Sequence, residues 1–305
     1  MTRAKGHHIA PRKYLEGFAD ERGMVTVVRF GQPTPSLESI RRAARETDFY
    51  TTRDQHGVPS DAMEDALQLR EGVYFPGVAA AAQGWPLDSQ SRQLVGEWVV
   101  LQFMRTQSMR ALFREVGHLV VDEELNEAGR LRLLNQMILD HPEFDPERVR
   151  EQGLEALDHA AQTMRAYAES AESHARSMDA HMSGLVDRLL KRRWILWHFD
   201  LRSVATSDSP VGLWSEASRS HGIGTADAVT FPVDRNRALV MVDEDGPDYA
   251  GLATTRRCRW FNQVTASNAR RAIYYHPGDR PLTNVDIPTV PQEPLQLDRG
   301  AGAQQ

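Results

Sequence analysis

Cysteine is nearly absent, with Cys258 the single thiol in 305 residues. One cysteine makes no internal disulfide and builds no multi-cysteine zinc or iron–sulfur site within a chain. A lone thiol suits a reducing compartment. Long apolar runs are missing as well. The longest stretches, such as 77–82 and 98–104, fall far short of the roughly 20 residues a membrane helix needs. Residues 1–12 carry Arg3, Lys5, His7 and His8 but no apolar segment of signal-peptide type. These absences point to a cytoplasmic protein with no membrane contact. Excess positive charge is also lacking. The formal net charge of −6 argues against a chain that coats nucleic acid over its whole surface. No Gly-rich phosphate loop, His-Glu-x-x-His helix or dinucleotide fingerprint occurs, so neither a metal nor a cofactor is expected.

What is present is enough apolar matter for a core, 41% of the residues. Residues 7–19 read as a short helix, Asp20–Gly23 as a turn and Met24–Phe30 as a β-branched strand, with loop over 31–36. Asp61 and Glu64 have capping-box spacing, which predicts a helix over 61–70. Further helices are expected over Ser89–Val116, from Asp122 to His141, and from Asp145-Pro146 to Arg193, the last with a break at Gly153 as an option. Then the character changes. Trp194–Asp200, Ser203–Ser207, Val211–Trp214, Ala228–Val233 and Ala238–Val242 are short and β-rich, separated by Asp, Ser, Pro and Gly. A helix over Arg259–Ala272 leads into Ile273–Tyr275. The early strand needs partners, and the nearest supply lies after residue 193. The expectation is therefore one α+β domain over 7–287. Its antiparallel sheet is shared by the N-terminal strand and the C-terminal half, with 89–193 inserted as a helical bundle. Residues 288–305 are expected to be a disordered tail.

Leu157, Ala161, Met164, Ala168, Ala171, Ala175, Met178, Met182, Leu185 and Leu189 recur at alternating spacings of four and three, the signature of helix-on-helix packing. The flanking positions Ala156, Thr163, Ser170, Ser177 and Gly184 carry no charge. That favours antiparallel packing within the chain over a parallel dimer seam, although a homo-oligomer stays open. The methionines are read as core rather than as a cofactor groove.

Arg105 falls in the middle of the apolar face that Leu94, Trp98, Leu101, Met109, Leu112 and Val116 form on their helix. A buried guanidinium needs partners. It is either one half of a structural ion pair or an anion receptor at the floor of a cleft.

Several segments together resemble one family. They are His7-His8-Ile9-Ala10-Pro11 with Tyr14, Leu15 and Phe18, and Phe103-Met104-Arg105-Thr106 with Arg110. Trp194-Ile195, Thr206-Ser207-Asp208-Ser209-Pro210, Phe231-Pro232, and Asn262 through Ala269, Arg271 and Tyr274 complete the set. They are similar to an uncharacterised bacterial family, domain of unknown function 4238, scattered over most of 7–275. Val233 departs from the pattern, which has leucine there. The resemblance implies no reaction and supplies only candidate residues.

His7 and His8 lead, because imidazole titrates near neutrality and serves as general acid or base. Adjacent side chains diverge, so at most one is expected to point into a site. The plain alternative is that one caps the next helix and the other packs beneath the sheet. Asp208 is either turn chemistry before Pro210 or an acid/base, with Ser207 a polar contact to substrate. Asn262 and Asn268 bind substrate or cap a strand end, and Glu64 is explained by its capping box. Arg176 to His181 matches the Arg-x4-6-His element of HEPN ribonucleases, but the heptad pattern already accounts for that stretch. Basic clusters stand at 191–193, 256–259 and 270–271, with solvated surface as the default.

The reading that emerges is a metal-independent hydrolase or nuclease acting on a phosphate-containing or nucleic-acid ligand. In it His7 or His8 is the acid/base, assisted by Asp208. Arg105 receives the anion, and Ser207, Asn262 and Asn268 position the substrate. The rival is a non-catalytic binding protein in which the same residues form a structural polar network.

Overall fold

His7 and His8 do not open a helix. They form a two-residue strand, β1, paired antiparallel with β4, Arg45–Glu46, so that His7 lies opposite Glu46 and His8 opposite Arg45. The computed structural model describes residues 7–46, 49–50, 52–53, 59–216 and 222–291. The expected helix over 7–19 shrinks to α1, Arg12–Leu15, and a 3-10 turn, Glu16–Phe18. Pro11 sets the late start, because its extended ψ of 137° keeps the chain out of the helix until Arg12. β2, Met24–Arg29, is the expected strand, and the loop after it ends in β3, Ser36–Ser39, its antiparallel partner. A short ladder of β5, Thr52–Arg53, and β6, Pro59–Ser60, precedes the helices.

Three helices differ from expectation for a clear local reason; in addition the helix expected from Asp122 starts at Glu127, and the one expected over 259–272 lies at 255–268, capped by the Thr254 hydroxyl. α2 runs over Ala62–Gln83, well past Arg70 and through Pro76. Its second half is held by close contact with the next helix: a Cβ at Gly77 would sit 2.7 Å from the Leu94 side chain and 2.9 Å from the Val95 amide. The single helix expected over 89–116 is two, α3, Ser89–Met104, and α4, Gln107–Glu124. Thr106 makes the break. Its ψ of 158° is extended, and its hydroxyl accepts from the Met109 amide as an N-cap. Arg105 is therefore the C-cap residue just past α3, at a bend, not the middle of a straight face. The long heptad helix also divides, into α6, Pro146–Ala168, and α7, Ala171–Leu190, with Ser170 capping the second through the Ser173 amide. Gly153 causes no break. α5, Glu127–Asp140, lies between α4 and α6.

The antiparallel packing expected of the heptad residues is met twice, although Met164, expected in the core, is 48% exposed. α7 runs back along α3, with Arg92 donating to the Leu190 carbonyl at one end and His174 meeting the Met104 carbonyl at the other. α6 runs back along α4, where Arg165 pairs with Asp122 at 2.6 Å and Gly117 faces Ala168. No described helix is long and apolar enough to cross a membrane.

The strands form two main sheets rather than one. β7, Arg193–His198, β9, Gly212–Trp214, β10, Ala228–Asp234, β11, Arg237–Val242, and β12, Tyr249–Leu252, build a five-stranded sheet in the order β12-β7-β11-β10-β9. Its pairs are antiparallel except β12 with β7. The second sheet, β3-β2-β13-β8, joins the N-terminal strands to β13, Ala272–Tyr275, and β8, Thr206–Ser207. Thus β2 finds its partner after residue 193, as expected, in β13, and shares its sheet with β8 of the expected 203–207 strand. α8, Thr255–Asn268, precedes that strand.

Strand alternation places the layers. Trp194 turns toward the helices, its indole donating to the Leu189 carbonyl at 3.0 Å, while Trp197 points to the opposite face and meets Trp260 of α8. The core between sheet and helices is centred on Trp98, Tyr14 and Phe231. The Tyr14 hydroxyl donates to the Pro232 carbonyl at 2.7 Å and meets the Thr206 hydroxyl at 2.9 Å. Three segments far apart in sequence are joined there. Of the tail expected over 288–305, residues 292–305 lie outside the described residues, as do residues 1–6.

Candidate functional site

The α3–α4 bend gathers both ends of the chain. Arg105, 1% exposed, donates through Nε to the Tyr50 hydroxyl at 3.0 Å and through one terminal nitrogen to the His8 carbonyl at 2.5 Å. Its other terminal nitrogen pairs with Glu71. Tyr50 in turn donates its hydroxyl to the Arg105 carbonyl. Burial pulls the guanidinium pKa down, but Tyr50 and Glu71 more than offset it, and the net shift is upward. Burial also raises the Glu71 carboxyl against the pull of Arg105, and it pushes the Tyr50 phenol up to about 12. Three residues past Arg105, Ser108 accepts from Arg270 Nε at 2.7 Å. Glu46, opposite His7 in β4, binds Gln107 and, at 3.3 Å, Arg271.

The two histidines have different surroundings, as their divergence requires. His7 is buried. Its Nδ1 accepts from the Tyr50 amide at 2.7 Å, its Nε2 meets Asp61 at 3.3 Å, and its ring stacks on Tyr50. His8 is half-buried, and its Nε2 is buried with no hydrogen-bond partner. The Arg41 backbone beside the ring raises its pKa. Burial lowers the His8 pKa most, Arg45 and Arg105 add to that, and Glu64 works against it. His8 therefore favours the neutral imidazole, and the tautomer protonated on Nδ1 would leave a lone pair on the unpartnered Nε2.

Glu64 does not complete a capping box. α2 has no side-chain cap at Asp61, whose carboxylate reaches His7 instead. The Glu64 side chain turns inward, 9% exposed, and its Oε2 is buried without a partner. Glu64 and Glu71 stand seven residues apart on the buried face of α2, with Leu67 between them.

The remaining candidates are tied to backbone. Each Asp208 oxygen accepts one amide, from Arg270 at 3.0 Å and from Arg271 at 2.9 Å, so this carboxylate clamps the turn into β13. Burial pushes its pKa up to about 6 against those amides. The Ser207 hydroxyl donates to the Ser209 carbonyl and accepts from the Ser209 amide. Asn262 accepts from the Ala205 amide and donates to the Ser203 and Pro281 carbonyls. Asn268 makes paired bonds to Leu213 of β9, holding α8 to the sheet edge. Arg105 thus meets His8 directly and His7 through Tyr50, while Asp208 is linked to the bend less directly, by way of Arg270 with Ser108 and Arg271 with Glu46.

Arg176 and His181 are both exposed, paired respectively with Glu172 and with the Ser177 carbonyl of their own helix. His174 is buried against the Met104 carbonyl, and burial lowers its pKa to about 4. Among the described residues no three His, Cys, Asp or Glu side chains are grouped to hold a metal ion.

A family model described as a protein of unknown function (DUF4238) matches residues 6–279. The comparison with curated proteins gives no match, and neither does the comparison with solved structures.

Proposed function

The chain belongs to the DUF4238 family, and from that premise we propose that it is an enzyme in which His8 is the general acid/base acting on a phosphate-containing substrate. One observation carries this reading. His8 Nε2 and Glu64 Oε2 are buried acceptors within electrostatic reach of each other, and neither has a partner. Buried polar atoms are nearly always satisfied. Each acceptor calls for a donor, and a water or a substrate hydroxyl reaching this region would supply one. Such a donor gives up its proton to a neutral imidazole, which makes it a nucleophile at neutral pH.

Arg105 then acts as a positioning residue. Glu71 already neutralises it, and its bond to the His8 carbonyl fixes the strand that carries the ring. The anion is met instead at the rim. Arg41, whose backbone binds the His8 ring, is exposed together with Arg42 and Arg45. Arg41 lines a groove of about 400 Å³ in which Arg12 and Arg22 are paired with Glu16 and Asp20, leaving Arg41 as its cation without a carboxylate partner among the described residues. Guanidinium groups are suited to phosphate oxygens by geometry as well as charge.

The non-catalytic reading rests on a different observation, the full engagement of Arg105, Asp208, Asn262 and Asn268 with structural partners. It accounts for those residues but leaves the two orphaned acceptors unexplained.

The test is turnover of a chromogenic phosphomonoester, a chromogenic phosphodiester and a labelled single-stranded RNA. At least one is hydrolysed, and His8→Gln and Glu64→Gln each lower that rate by about 100-fold, the usual scale of acid/base assistance, with melting temperature retained. Full activity in either variant, or no turnover of any of the three, overturns the reading.

A further inference from the structure

We propose that α8 and the tryptophans beneath it form a binding platform for single-stranded nucleic acid, distinct from the His8–Glu64 pair and independent of the catalytic reading. The first observation is charge without counter-charge. Arg256, Arg257 and Arg259 occupy the first turns of α8, and Arg202 lies beside them, close enough to act on Cys258. All four are exposed, and none is ion-paired or hydrogen-bonded through its guanidinium to a described residue. Exposed arginines such as Arg22, Arg114, Arg132 and Arg176 each have a carboxylate, whereas Arg41, Arg42, Arg148 and Arg150 are exposed without an ion pair to a described residue, so what sets the α8 arginines apart is their place beside an aromatic row. The acid nearest in sequence, Asp200, pairs with none of the four. In a chain of net charge −6, a cluster left unneutralised is a local and specific field.

The second observation is aromatic. Trp197 of β7, Trp260 of α8 and Trp214 of β9 stand in a row, with ring centroids 5.7 and 5.6 Å apart and planes crossed at 68° and 76°. Trp214 is 37% exposed at the sheet edge and Trp260 is half-buried, so the row emerges from the core into solvent. Arg257 lies 5.4 Å from the Trp197 ring centroid, which orients one guanidinium along the same row.

Backbone-tracking arginines interleaved with accessible aromatic rings are the means by which unpaired strands are held, because every base offers a π-face. A duplex keeps its bases stacked and gains only the charge. An acidic polypeptide gains nothing from the tryptophans. The C-terminal end of α8 leads to Arg270, which binds Ser108 beside the α3–α4 bend. A strand laid along the 14 residues of α8 would run about 20 Å toward that bend.

The test is fluorescence anisotropy of the full chain with labelled 15-nucleotide dT and rU at 50 and 200 mM salt, beside a duplex of equal length. Saturable binding is expected at low salt, weakened about tenfold or more at high salt, the loss for three or four neutralised phosphates. Arg256→Glu with Arg259→Glu lowers affinity about tenfold and flattens the salt dependence. Trp214→Ala weakens binding without changing that slope. His8→Gln binds as wild type does, so failure of this platform and failure of the catalytic reading are read separately. Absence of binding at 50 mM salt overturns the proposal. So does wild-type affinity in both the charge-reversed and Trp214→Ala proteins, or polyglutamate competing as well as dT.

Discussion

The His8 carbonyl accepts a hydrogen bond from Arg105 at 2.5 Å, while the His8 ring keeps a buried nitrogen without a partner. One residue is thus fixed through its main chain and left open at its side chain. His7, its neighbour, has both ring nitrogens engaged. Strand geometry explains the split, because adjacent side chains leave opposite faces. The pair supplies one structural and one unsatisfied imidazole.

If Arg105 is held chiefly by Glu71, the two should be energetically coupled. Arg105→Leu strands Glu71 in a buried site, while the Tyr50 hydroxyl keeps the residue-105 carbonyl, and should cost about 3–5 kcal/mol. Glu71→Leu alone leaves the guanidinium unpaired and costs a similar amount. The double variant should lose clearly less than the sum, as read by denaturant unfolding of all four proteins. Strict additivity would show that the ion pair is not what holds the bend.

Asp208→Asn separates a clamp from a catalytic carboxylate. An amide offers one acceptor oxygen, so one of the Arg270 and Arg271 amides would face another N–H donor. Loss of about 2 kcal/mol is expected, with a lowered melting temperature. Normal stability combined with lost turnover would return Asp208 to the catalytic group.

His174 sets an acid limit on the fold. Its folded pKa is lowered to about 4 from 6.5, first by burial. An unfolded chain therefore binds this proton at higher pH than the folded one. The stability that His174 contributes is complete above pH 6.5 and is lost as pH falls toward 4, by roughly 3 kcal/mol at about 1.4 kcal/mol per unit. His174→Gln keeps a donor for the Met104 carbonyl but cannot titrate. Its unfolding free energy should fall less steeply between pH 6.5 and 4 than that of the wild type. Parallel curves would rule out His174 as the source.

The α+β class, the strand over 24–30 and the burial of Arg105 were legible because apolar periodicity and β-branched runs record them directly. Helix breaks were not. Apolar spacing continues across Arg105-Thr106 and across Glu169-Ser170, and each break depends on one hydroxyl competing for an amide. The partner of β2 was legible in outline, since β13 lies after residue 193, but the division of the strands into two sheets was not, because strand pairing follows tertiary packing. Glu64 and Glu71 were missed for related reasons. A capping-box match explained the first too readily, and ending α2 at Arg70 placed the second outside the helix. A continued helical pattern through Leu67, Val78 and Ala81 would have put both carboxylates on its buried face.

The most direct measurement is a long-range proton–nitrogen NMR titration of the histidine rings in uniformly labelled protein, with His8 assigned by His8→Gln. His8 should be neutral at pH 7, protonated on Nδ1, and titrate below 6.5. Its Nε2 signal should respond to Glu64→Gln, which removes the carboxylate that raises its pKa. An imidazolium at pH 7, or a proton resident on Nε2, would contradict the claim that His8 presents a free lone pair to a substrate.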